Sequence, residues 1–149
     1  MFFFPLAQAC AIVLCAIDRR ERPFRVFKTR WFARFALRER IEDDALRASV
    51  RRAEHGLIDA SLGGGVIKQR IARRNEGKSG GYRSIVLFRA GERAFFVYGF
   101  PKKDRSNIKD NELQGFKELA ADMLGYDSDS LEKAIKSGAL QEVNYDEHH

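Results

Sequence analysis

Six basic side chains stand at spacings that could bring them to a single anion. Lys68 and Arg70 alternate with Ile67, Gln69 and Ile71 in the run Val66-Ile67-Lys68-Gln69-Arg70-Ile71-Ala72. A period of two puts both cations on one strand face, with Ile67 and Ile71 on the other. Arg83 opens the next apolar run, Tyr82 to Arg89, and Lys102, Lys103 and Arg105 follow the one after it, Ala94 to Phe100. Three sequential strands with short links are antiparallel neighbours, because a parallel return needs a crossover. The start of one strand then lies near the end of its neighbour, and the six residues converge on one surface. The loop from Arg73 to Gly80 adds Arg73, Arg74 and Lys78 among Asn, Ser and Gly. Two readings compete: solvated charges on an open sheet face, or a seat for phosphate, which guanidinium forks and ammonium groups both bind. From Val66 to Lys109 the only acids are Glu76, Glu92 and Asp104. That scarcity favours phosphate.

Other chemistries are harder to assemble. Cys10 and Cys15 both lie in the first segment, at a spacing that is not Cys-x-x-Cys, so they make neither a metal knuckle nor a disulfide framework. His55 ends a helical run just before Gly56, the place of a helix C-terminal histidine, and His148 and His149 close the chain. No zinc site and no Ser-His-Asp or Cys-His arrangement follows from this inventory, and no cofactor is expected. Gly77-Lys78-Ser79 imitates the end of a phosphate-binding loop, but Ala72 stands where its first glycine belongs and a strand follows it. Gly63-Gly64-Gly65 precedes a strand instead of opening a helix, so it is no dinucleotide fingerprint.

The elements that must position the cations come from a chain of 149 residues, 44% hydrophobic and 32% charged, enough for one domain with a buried core. Phe24 to Thr29 reads as an opening strand. Thr29 can cap a short helix with Trp31, Phe32 and Phe35 on one face. Asp43 or Asp44 starts a second helix with Leu46, Val50, Ala53 and Leu57 at helical spacing. After the three strands, Leu113, Phe116, Ala120, Met123 and Leu124 mark a third helix. Ser128 or Ser130 can cap a fourth, with Leu131, Ala134 and Ile135 inward and Gly138 closing it. Leu140 to Tyr145 is a short strand or an ordered tail. The expected class is α+β, a compact domain whose central antiparallel sheet carries helices on one face and the basic residues on the other.

Charge divides the chain. Residues 19–109 hold 24 basic and 10 acidic side chains, a net +14, whereas residues 110–149 sum to −7, within a total of +6. The basic block is the footprint of a polyanionic partner. Residues 1–17 carry no charge, yet Arg19, Arg20 and Arg22 come after the apolar run, the reverse of a signal peptide. Upstream translation, an export segment and a membrane segment at the lower length limit all remain open for it. The expected organisation is an apolar extension over residues 1–23, the basic domain over 24–124 and an acidic helix and tail over 125–149.

Four segments carry a resemblance. Arg25-Val-Phe-Lys-Thr with Trp31, Gly65-Val-Ile-Lys-Gln-Arg, Gly80-Gly-Tyr-Arg and Phe100-Pro-Lys-Lys-Asp-Arg-Ser-Asn-Ile resemble the RelE/HigB type of toxin from bacterial toxin–antitoxin pairs, over roughly residues 24–124. The resemblance implies a cytoplasmic mRNA endonuclease, often acting in the ribosomal A site, held inactive by a cognate antitoxin. It places Lys68, Arg70, Arg83 and Lys103 where the family has basic catalytic residues, and leaves Arg73, Arg74, Lys78, Lys102 and Arg105 to bind RNA. Some members have a tyrosine after the basic segment; here that stretch reads Asn107-Ile108-Lys109.

The implied chemistry suits such a site. A 2′-hydroxyl attacks its own adjacent phosphate, a base takes its proton, and cations stabilise the phosphorane charge. Arg70 and Arg83 would clamp the non-bridging oxygens, and Lys68 or Lys103 would exchange protons if neighbouring cations lower its pKa. Two alternatives come from other classes: a non-enzymatic toxin that poisons DNA gyrase on the same fold, and a nucleic-acid-binding module without catalysis. Basic density on the central strands favours the nuclease. An antitoxin would block RNA by laying an acidic helix or strand along the basic surface. The acidic end could instead fold back on that surface, but Leu131, Ala134 and Ile135 point to a structural role for it.

Overall fold

The computed structural model describes residues 24–72, 81–102 and 107–144. The reading of residues 1–23 therefore lies outside the described residues, as do those of Arg73, Arg74, Lys78, Lys103 and Arg105. Among the described residues, six strands and four helices follow in the order β1 (Arg25–Thr29), α1 (Arg30–Glu39), α2 (Asp43–Glu54), β2 (Ala60–Gly63), β3 (Val66–Ile71), β4 (Tyr82–Arg89), β5 (Arg93–Pro101), α3 (Asp110–Met123), α4 (Ser128–Lys136) and β6 (Leu140–Val143). The class is α+β, as expected.

Local chemistry explains the first elements. Thr29 Oγ1 accepts the N–H of Phe32 at 3.3 Å and caps α1. Phe32, Phe35 and Ala36 are buried along α1, and Leu46, Val50 and Ala53 along α2. Leu57 lies beyond the end of α2 and is 63% exposed, so the helical spacing carries one step too far there. His55 is the C-cap of α2. In α4 the cap is Asp127, one residue before Ser128 and three before Ser130, the expected caps, and its carboxylate accepts the N–H of Ser130 at 2.8 Å.

One sheet holds all six strands, in the order β2-β3-β4-β5-β1-β6. The pairs β3–β4 and β4–β5 are antiparallel, as their short links require. β1 runs parallel to β5, and antiparallel β6 covers its other side. The chain can set β1 parallel because two helices and three strands intervene before β5. β2 and its hairpin to β3 are not foreseen in the sequence. Gly63, Gly64 and Gly65 turn that hairpin with φ of 86°, 63° and 82°, a left-handed run that side chains resist.

Helices cover both faces of the sheet, which corrects the expectation of a single helical layer. On one face, Phe32 and Phe35 of α1 and Leu46 and Val50 of α2 pack with Val26, Ile67, Ile71, Tyr82, Val86 and Phe96. On the other, Ala120 and Met123 of α3, then Leu124, and Leu131 of α4 pack with Phe27, Val66, Ile85, Leu87 and Phe95. The reason lies in the strands themselves. Ile85-Val86-Leu87 and Phe95-Phe96-Val97 are continuous apolar runs, and a strand apolar on both sides needs cover on both.

Two predictions follow from this packing. A Cβ on Gly99 would lie 2.6 Å from Cε2 of Phe35 and 3.2 Å from Cε2 of Phe32, both fully packed rings. Gly99→Ala is therefore expected to cost about 1–3 kcal/mol, read as a lower urea midpoint with an unchanged m value. The second concerns the acidic end. Leu131 is buried, Ala134 and Ile135 pack beside it, and Arg25 grips Glu142 of β6 through Nε at 2.8 Å and Nη2 at 2.9 Å. This contact raises the pKa of Arg25. Truncation after Leu124 should thus lower the melting temperature, and a truncated chain as stable as the full one would contradict the assignment.

Candidate active site

The site is built on β3. Val66, Lys68 and Arg70 share one face, while Ile67, Gln69 and Ile71 point toward α1 and α2. Gln69 is 1% exposed, and both ends of its amide are hydrogen-bonded. Nε2 donates to the carbonyl of Ser49 at 2.9 Å and to that of Leu57 at 3.3 Å, and Oε1 accepts the N–H of Asp59 at 2.8 Å. These bonds fasten β3 to α2 and to the segment before β2. Because successive side chains alternate, holding Gln69 inward holds Lys68 and Arg70 outward. Arg52 of α2 adds a bond from Nη2 to the carbonyl of Arg70 at 2.5 Å.

Strand register then sets two rows across three strands. Lys68 faces Ile85, which faces Tyr98; Arg70 faces Arg83, which faces Phe100. The next row, Val66–Leu87–Phe95, lies in the core beneath α3 and α4. Lys68, Arg70 and Arg83 are half-buried. Two guanidiniums directly opposite each other repel, and negative charge close by eases that cost. Asp59 supplies some, its Oδ2 lying 4.0 Å from Nη1 of Arg83. The scarcity of acids counted from Val66 onward misses it, because Asp59 precedes that window by seven residues.

Lys102 is exposed at the same end of the sheet, where its N–H donates to the carbonyl of Gly81 at 3.2 Å. Gly81 is itself a point of close approach: a Cβ there would lie 2.9 Å from the carbonyl of Ile71 and 3.6 Å from Nε of Arg70. The structure thus brings together Lys68, Arg70, Arg83 and Lys102. The other proposed residues, Lys103, Arg73, Arg74, Lys78 and Arg105, lie outside the described residues.

Aromatic rings border the cations, and alternation in the sequence could not reveal them. The register shifts between Ile85 and Val86, which face Tyr98 and Phe96, so Val97 is an extra residue. The bulge turns Tyr98 onto the face of Lys68; without it Tyr98 would share the face of Phe96. β5 also outruns β1, whose register ends at Lys28–Phe96, and the first turn of α1 takes the space beyond. There the ring of Trp31 lies tilted 4.7 Å from that of Tyr98, whose other neighbours are Phe116 at 5.8 Å and Phe100 at 6.1 Å. Trp31 is 44% exposed.

A small α+β domain with facing arginines and half-exposed rings at one sheet end has the make-up of a polyanion binder. The family model described as the RelE toxin of the RelE / RelB toxin-antitoxin system matches residues 24–143. The chain belongs to this family of RelE toxins, whose partner is a cognate antitoxin. The match includes α4 and β6, which the resemblance read from the sequence stops short of. A comparison with curated proteins found no match. Among the described residues, no helix is long and apolar enough to cross a membrane.

The buried amide of Gln69 is the part of this site most open to test. Gln69→Leu leaves the carbonyl of Ser49 and the N–H of Asp59 without their partner. The expected cost is about 2–3 kcal/mol, measured by denaturant unfolding. Unchanged stability would mean that other contacts hold β3 in place.

Proposed function

We propose that this toxin is an endoribonuclease that cleaves mRNA in the bacterial cytoplasm, in association with the ribosome. The observation that carries the reading is the Arg70–Arg83 pair, directly opposed across two strands on the face that also bears Lys68. Opposed guanidiniums are poor structure and good phosphate ligands, since each offers planar donors to a different non-bridging oxygen.

The RNA supplies its own nucleophile. Its 2′-hydroxyl attacks the adjacent phosphorus while Arg70 and Arg83 stabilise the charge gathering on the phosphorane oxygens. Lys68, one row further in, and Lys103 are the candidates for proton exchange. The products are a 2′,3′-cyclic phosphate or 3′-phosphate and a 5′-hydroxyl end. Lys102, with Arg73, Arg74, Lys78 and Arg105, would hold the flanking phosphates, and the rings of Trp31 and Tyr98 offer faces to unstacked bases. The antitoxin silences the enzyme by covering this basic surface with acidic residues.

Purified toxin incubated with message, with and without ribosomes, tests the reading. The wild type should release 5′-hydroxyl fragments, and Arg83→Ala should lose on the order of a hundredfold in rate or more while keeping its melting temperature. Growth inhibition should fall with it. Intact message together with inhibition of DNA gyrase would move the protein to the non-enzymatic class, and a well-folded Arg83→Ala of full toxicity would remove Arg83 from the site.

A further inference from the structure

Asp59 is the one acid beside the facing arginines among the described contacts, and the chemistry above gives it no task. It sits just before β2 and is held from both ends. Its N–H donates to Oε1 of Gln69, and its Oδ2 accepts the main-chain N–H of Arg70 at 2.5 Å. That same oxygen lies 4.0 Å from Nη1 of Arg83. The buried amide that sets the direction of β3 therefore also fixes this carboxylate.

A carboxylate is an awkward occupant of a phosphate seat. It repels the ligand and lowers the positive potential that draws it in. Its presence has a physical rationale if it directs a cation. Opposite Arg70, the Arg83 guanidinium is driven away from its neighbour, and a negative oxygen fixed to the backbone of Arg70 draws it back. The separation of 4.0 Å is the outer limit of an ion pair, so the attraction orients the guanidinium without saturating its donors. Their side chains are 23% and 37% exposed, open enough for an incoming phosphate to reach.

We propose that Asp59 is a positioning residue, whose carboxylate holds Arg83 alongside Arg70 in the geometry that receives the scissile phosphate. The proposal rests on the ribonuclease reading for its effect on rate, but not for its effect on the side chain of Arg83.

Asp59→Asn separates this role from a merely structural one. The amide oxygen of asparagine still accepts the N–H of Arg70, so the β2–β3 junction survives, whereas the charge facing Arg83 is gone. Three measurements on the full chain decide. The Nε–H signal of Arg83 in NMR should shift or broaden in the variant. Affinity for single-stranded RNA carrying a 2′-deoxy block at the scissile position should rise about two- to threefold at low salt, since one repelling charge is removed. Single-turnover cleavage of ordinary RNA should fall about ten- to a hundredfold, the usual penalty of a misdirected group. Tighter binding with slower cleavage is the signature expected, and Asp59→Glu should recover part of the rate.

An unchanged Arg83 signal overturns the proposal, as does cleavage at the wild-type rate. A variant that loses the acid limb of the pH–rate profile also overturns it, because Asp59 would then itself be the base. If the wild type leaves RNA intact, the ribonuclease reading fails, and the Arg83 signal still decides whether Asp59 positions that side chain.

Discussion

The carboxamide of Gln69 is the contact on which the site depends. A strand has two faces and one register, and a slip of one residue exchanges them. In β3 the hydrophobic signal alone would tolerate ambiguity, because Val66 is buried under α3 and α4 while Ile67 and Ile71 are buried under α1 and α2. Gln69 removes the ambiguity. Its amide finds partners only against Ser49, Leu57 and Asp59, and turning it to the opposite face would strand all of them. A buried polar group of this kind adds specificity beyond what its net free energy would suggest.

Uneven covering then makes the surface. Both faces of the sheet are packed, but the row Val66–Leu87–Phe95 lies in the second core, whereas the row Arg70–Arg83–Phe100 sits at the margin. The same strands that build the core thus present Lys68, Arg70 and Arg83. Half-burial sharpens their effect, since charge at a low-dielectric edge acts more strongly on a phosphate than charge in open water. The cost is repulsion between Arg70 and Arg83 in the free protein, which Asp59 offsets in part.

What the sequence made legible was local. The period of two in β3, the Thr29 cap, the helical stripe Leu46–Val50–Ala53 and the antiparallel order of β3, β4 and β5 each follow from a few neighbouring residues. What escaped depends on distant partners. β1 beside β5 is a pairing across some seventy residues, with no short link to announce it. The runs Ile85-Val86-Leu87 and Phe95-Phe96-Val97 call for cover on both faces, but nothing local says that α3 and α4 supply the second layer. Tyr98 was invisible as a site residue for a sharper reason: the extra Val97 reverses the face that alternation assigns to it. Asp59 precedes β3 by seven residues, and the hairpin turned by Gly63, Gly64 and Gly65 brings its segment back beside β3.

The acidic end completes the argument about charge. Its net −7 invites the idea of a tail folded over the basic surface, yet four of its described acids have other partners. Asp127 caps α4, and the bond it accepts from Ser130 lowers its pKa. Glu112 accepts the N–H of Lys109 at the start of α3. Glu142 and Glu132 both meet Arg25 on the side of β6. Sheet order decides the matter for the two that meet Arg25: β4, β5 and β1 separate β6 from β3, so a carboxylate that fastens β6 is too far across the sheet to quench Arg70. Opposite charges within one chain need not meet, and three strands stand between β3 and the carboxylates that fasten β6. The family to which the chain belongs pairs such a toxin with a cognate antitoxin, a second molecule.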